Sequence, residues 1–179
     1  MQTTTPLLKR SGIILCAMLL LSSLLVNSQI RLVEVRPTED KVTIKNFGGS
    51  AVDISQYYFC SLFVYPQLQN LTVDSGSLNL AGGASVTLSG FSINDSDGDM
   101  GLYLPGSPGN FGNQNFMVDF MQWGDANNGR ESVAVAKGIW ENDAFMNGTG
   151  PFVYNGDGTQ NGIEFWAEGT LSTNDEFLT

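Results

Sequence analysis

The stretch Lys41–Leu62 reads KVTIKNFGGSAVDISQYYFCSL, and its first half alternates with a period of two. Val42 and Ile44 fall on one side of an extended chain, with Lys41, Thr43 and Lys45 on the other, as expected of a sheet that is wet on one face. Asn46-Phe47-Gly48-Gly49-Ser50 then supplies turn chemistry. A second extended run, Ala51 to Ile54 and on through Tyr57 to Leu62, is expected to carry the chain back. The pattern predicts an all-β domain.

Neighbouring segments extend the pattern. Ile30 to Val35 is strand-like, and Pro37 to Asp40 turns it into the Lys41 strand. Tyr57, Tyr58, Phe59, Phe63 and Tyr65 form an aromatic-rich run whose simplest role is core and cross-strand packing, an exposed face for carbohydrate being the alternative. Leu78 to Leu88 reads as two short segments about Ala81-Gly82-Gly83. Pro105 to Asn115, PGSPGNFGNQN, reads as a long flexible loop. Phe116 to Trp123 is apolar at nearly every position, which predicts a central strand, and Asp119 within it then needs a hydrogen-bond partner. Glu131 to Gly138 suits a short helix or a strand equally. Beyond Glu141 the chain is loop-rich, with one further strand expected at Ile163 to Ala167 and with Trp140 and Trp166 packing the open end. Many short segments punctuated by Gly, Asn and Asp argue for a β-sandwich.

The spacing Val42-x-Ile44-x-Asn46-x-Gly48, followed by Ala51-Val52-Asp53-Ile54-Ser55 and an aromatic strand, resembles the lamin-tail domain. Leu78-x-Leu80-x-Gly82-Gly83-x-x-Val86-x-Leu88, Gly98-Asp99-x-x-Leu102-x-Leu104 and Val118-Asp119-x-x-x-Trp123-Gly124 resemble its later strands and turns, in the same order. The resemblance covers roughly Ile30 to Trp140. It implies an immunoglobulin-like β-sandwich over residues 29–140, with residues 141–179 as an extension packing on or completing it. It also implies an adaptor or attachment role, as in that family, which includes secreted bacterial proteins. The nuclear role of lamins does not carry over to a chain with an export leader and no coiled-coil rod.

Such a leader is read at residues 1–28. Lys9 and Arg10 precede an apolar run from Ile13 to Val26, and Asn27-Ser28 follows, the layout of a secretory signal peptide. The run falls short of the about 20 apolar residues of a spanning helix, an uncleaved anchor being the alternative. Cys16 follows Ile14-Leu15, which argues against a lipoprotein anchor. The expected location is secreted, periplasmic or cell-surface, with no stable membrane insertion after cleavage. Cys60 is then the only cysteine left, so no internal disulfide forms and a buried, inert thiol is expected. Of the 8 basic residues, Lys9 and Arg10 go with the leader, which leaves 6 against 18 acidic residues and a formal charge of −12, a surface expected to repel nucleic acid and anionic lipid.

The absence of histidine removes Ser-His-Asp and Cys-His catalysis and histidine metal sites. Paired carboxylates remain, with Asp119, Glu131, Glu141 and Glu164 available to a small hydrolase. Asn94-Asp95-Ser96-Asp97-Gly98-Asp99 is the densest acidic patch. Asp95, Asp97 and Asp99 at alternate positions suit a hard cation such as calcium, although the spacing is not that of an EF-hand, and a hairpin turn explains the same residues. Asn70, Asn94 and Asn147 head Asn-x-Ser/Thr sequences, acceptors only in a glycosylating secretory pathway. The expected function is a secreted, non-enzymatic binding or surface-interaction module whose partner is a protein or a cell-surface polymer. A calcium-dependent surface or carbohydrate-binding protein and a carboxylate hydrolase are the alternatives.

Overall fold

A computed structural model of the chain describes residues 30–169; the leader read at residues 1–28 and the stretch 170–179 of the expected extension lie outside the described residues. Eleven strands run as β1 (Ile30–Arg36), β2 (Lys41–Asn46), β3 (Val52–Asp53), β4 (Tyr58–Cys60), β5 (Thr72–Ser75), β6 (Asn79–Leu80), β7 (Ser85–Ser89), β8 (Gly98–Tyr103), β9 (Met117–Trp123), β10 (Phe152–Tyr154) and β11 (Trp166–Glu168). Among the described residues one short α-helix, α1 (Glu131–Lys137), follows β9. All named strand pairs are antiparallel: a six-stranded sheet in the order β11-β10-β1-β2-β7-β5, a three-stranded sheet β4-β8-β9 and a small pair β3-β6. The fold is an all-β sandwich.

Alternation in β2 places Val42, Ile44 and Asn46 inside and leaves the lysines partly exposed. Val42 sits opposite Val35 on one side and Leu88 on the other, and Ile44 opposite Leu32 and Val86, all of them buried. Leu32 and Val35 are three residues apart yet face partners two apart, because a bulge between Leu32 and Glu34 inserts one extra residue and returns the second side chain to the core.

The expected return of the chain alongside β2 does not occur. The neighbours of β2 are β1 and β7, while the run after Ser50 leaves for β3 and β4 in the other sheets. Asn46 redirects it: its Nδ2 donates to the carbonyls of Ser50 at 2.8 Å and Leu80 at 2.9 Å, and its Oδ1 accepts from Gly48 N at 2.8 Å. The turn is therefore tied through Asn46, at the end of β2, to the end of β6.

The sheets meet at Asp119. Arg31 donates to both carboxylate oxygens at 2.8 and 2.9 Å, and Leu32 N donates to Oδ2 at 2.9 Å, so β1 and β9 are joined by a buried, bidentate ion pair. Residues beyond 140 belong to the first sheet, since β10 pairs with β1 through Glu34↔Val153 and Val35↔Phe152 and β11 pairs with β10. The expected strand at Ile163 to Ala167 is a single 3-10 turn, Ile163–Phe165, leading into β11. Pro105 to Asn115 is not a loose loop but a succession of turns in which Ser107, Asn110, Asn113 and Phe116 N–H groups each donate to the carbonyl three residues back.

Candidate functional site

Strand β8 is buried along its whole length, and Asp99 within it is fully enclosed. Its Oδ1 accepts from Leu62 N at 2.7 Å and its Oδ2 from Arg130 N at 2.9 Å, so one carboxylate ties the chain after β4 to the start of α1. Burial pushes its pKa up, against the pull of these amide donors. The close approach requires glycine at 129, where φ is +41° and a Cβ would lie 2.2 Å from the carboxylate.

Above Asp99, Ser61 and Val64 exchange backbone hydrogen bonds of 3.0 and 2.8 Å around a two-residue turn. Its central residues, Leu62 at φ 45° and Phe63 at φ 67°, both lie in the left-handed region. Such a turn favours Asn-Gly, and a bulky side chain held there costs on the order of 1–3 kcal/mol. The strained turn presents Phe63 and Val64 to solvent, at 57 % and 59 % exposure.

Arg130 lies beside this tip. Its Nε donates to the Tyr65 hydroxyl at 2.9 Å and its Nη2 donates to the same oxygen; the guanidinium carbon is 5.0 Å from the Phe63 ring centre. The Tyr65 ring stacks on Phe111 at 3.8 Å, and Phe111 meets Tyr58 and Tyr103 edge-on, while its carbonyl accepts from Tyr103 Oη at 3.1 Å. The turn-rich segment after β8 thus clamps the arginine from one side. Cys60 lies beneath, where burial pushes the thiol up to about 12, which leaves it inert at neutral pH.

The acidic patch is divided between inside and outside. Strand β8 starts at Gly98, so Asp99 turns inward while Asp95 is exposed and Asp97 is half-buried in the preceding turn. That turn is closed by Asn94, whose Oδ1 accepts from Ser96 N at 3.0 Å. Among the described residues no three Asp, Glu, Cys or His side chains are grouped to hold a metal ion. Of the carboxylates considered for hydrolysis, Asp119 is tied to Arg31, and Glu131 accepts from Asp143 N at 2.6 Å and from Asn127 N. Glu141 and Glu164 are exposed. One open groove, of about 430 Å³, contains a single carboxylate, Glu34, and another, of about 560 Å³ beside Arg31, contains none.

The simplest expectation for Phe63 is packing, with an exposed face as the alternative, and that for Phe111 is a loose loop. The only sign of their grouping in the sequence is an aspartate at 99 inside an apolar strand. No family model, no curated protein and no solved structure matches the chain. Among the described residues no helix is long and apolar enough to cross a membrane.

Proposed function

We propose that the chain is a secreted, non-enzymatic binding module that docks through the turn Ser61–Val64. The observation that carries this reading is the exposure of Phe63 and Val64 on a turn held in a strained conformation by a buried carboxylate. Strain of this kind persists only where surrounding contacts enforce it, and it gathers at functional sites. Folding alone gains little from presenting two large apolar side chains to water.

Two features of the sequence support the reading. The order of motifs from Ile30 to Trp140 resembles the lamin-tail domain, whose members act as adaptors, and residues 1–28 have the layout of an export leader. Chain exported from a host with a secretory pathway is expected to begin at Gln29 by intact mass. An extracellular product that still carries residues 1–28 would leave an anchor as the reading.

Docking is tested by placing a photo-crosslinking phenylalanine analogue at Val64 and, as a control, at Thr43 on the opposite sheet. The reading expects a specific adduct with the natural surroundings of the protein from position 64, lost when Phe63→Ser is added. Equal labelling from both positions would overturn it.

A further inference from the structure

The guanidinium of Arg130 is the feature that the binding reading leaves unused. The ion pairs of the described residues are Arg31–Asp119, Arg36 with Glu34 and Glu39, and Lys41–Glu39. Arg130 is in none of them, although acidic residues outnumber basic ones 18 to 8. Lys45 and Lys137 also lack a carboxylate, but Lys45 lies over the Phe47 ring at 4.7 Å and Lys137 donates to the Gln114 carbonyl at 3.4 Å. Of these three, Arg130 is the one whose guanidinium lies beside the exposed Phe63 ring. Its Nε and Nη2 share the Tyr65 hydroxyl, whereas Nη1 has no hydrogen bond among the described residues. Nη1 lies beside Gly112, where an added Cβ would meet Nη1 alone within 4 Å, at 3.8 Å.

Resting on the docking reading above, we infer that this surface takes an acidic, apolar segment of a partner protein. A carboxylate of that segment pairs with Arg130 at Nη1, and a neighbouring apolar side chain covers Phe63 and Val64. Arginine is suited to the task because its planar fork meets a carboxylate with defined geometry. Little order is lost on binding: Asp99 fixes the Arg130 backbone, and the stack on Phe111 fixes Tyr65, which in turn holds the guanidinium.

The chemistry of the surface selects this occupant over two others. A sugar needs a flat or concave aromatic platform, but the Tyr65 ring is covered by Phe111 and one face of Phe63 by Arg130, on a turn that projects outward. A phosphate-rich surface, lipid or nucleic acid, brings many negative charges against a chain of −10. A single carboxylate in contact with Arg130 is affected far less, because charges more than about 8 Å away are largely screened at physiological salt.

The test is a selection of random 12-residue peptides displayed on phage against the immobilised full chain, followed by dissociation constants of synthesised winners. The inference expects peptides with Asp or Glu next to an aromatic or aliphatic residue. Arg130→Gln and Phe63→Ser are each expected to weaken binding about 10- to 100-fold, with Arg130→Lys between wild type and Arg130→Gln, all with an unchanged unfolding midpoint. Binding that ignores Arg130→Gln but is lost in Phe63→Ser would overturn the charge pairing and leave docking at the turn standing. Binding that ignores both, or no enrichment, would overturn the two together. Preferential binding to phosphatidylserine vesicles or to oligogalacturonate would replace the protein segment with lipid or polymer.

Discussion

Two aspartates in adjacent strands are buried for different reasons, and single substitutions separate them. Asp119 has a full cation partner in Arg31. Removing one member of such a pair leaves a charge buried alone, so Arg31→Met is expected to cost about 3–5 kcal/mol in urea unfolding, while Arg31→Met with Asp119→Leu recovers most of the loss. Asp99 has backbone amides instead, and burial raises its pKa. The sign follows from the protons bound. A folded state that holds its proton more tightly than the unfolded state is favoured at low pH, and that contribution is lost as pH rises through the raised value. The advantage of wild type over Asp99→Asn in urea midpoints is therefore expected to shrink as pH rises above the ordinary carboxylate value of about 3.9. An advantage that grows with pH would show that the amide donors, not burial, dominate. Cys60 completes the residue scale: a thiol pushed up to about 12 in a buried strand is expected to resist Ellman's reagent until urea unfolds the chain.

Among the elements, the turn between Ser61 and Val64 opposes stability to exposure. Replacing Leu62-Phe63 by Asn-Gly supplies residues at ease with positive φ, and is expected to raise stability by about 1–2 kcal/mol while abolishing crosslinking from position 64. Thermal unfolding and the crosslinking assay together check both halves. The sequence made β1, β2 and β9 legible because each carries a hydrophobic period or a continuous apolar run, and the partner required by Asp119 is present in Arg31. It did not reveal the turn, because Leu-Phe has none of the residues that announce a left-handed pair. Nor did it reveal the site of Arg130, which depends on three segments far apart in the chain and on a long-range bond from Asp99. The calcium reading placed three alternate aspartates on one centre, but the strand boundary at Gly98 separates the last from the others. Helix α1 was undecidable from Ser132-Val133-Ala134-Val135-Ala136 alone. Gly138 in a left-handed conformation, donating to the Ala134 and Val135 carbonyls, closes it as a helix.

At the scale of the whole molecule, strands from beyond residue 140 are the outer members of the six-stranded sheet. A chain ending after Trp140 would lack β10 and β11, uncover the edge of β1 at Glu34 and Val35, and remove Phe152 from its place against the Trp123 ring at 5.9 Å. Such a chain is expected to show no cooperative urea transition and to aggregate through the exposed edge, as read by circular dichroism and light scattering. The pairing of β1 with β10 also governs timing. The first described strand sits third in a six-stranded order, and its outer neighbour is the next-to-last of the described strands. β1 must wait for a strand far along the chain, so the sheet stays open until residues 152–154 are in place, and closure then proceeds at the slow pace of distant β pairings, in milliseconds to seconds. Until then the outer edge of β1 is an unpaired template, and crowding during refolding is the condition under which it pairs with a second chain instead.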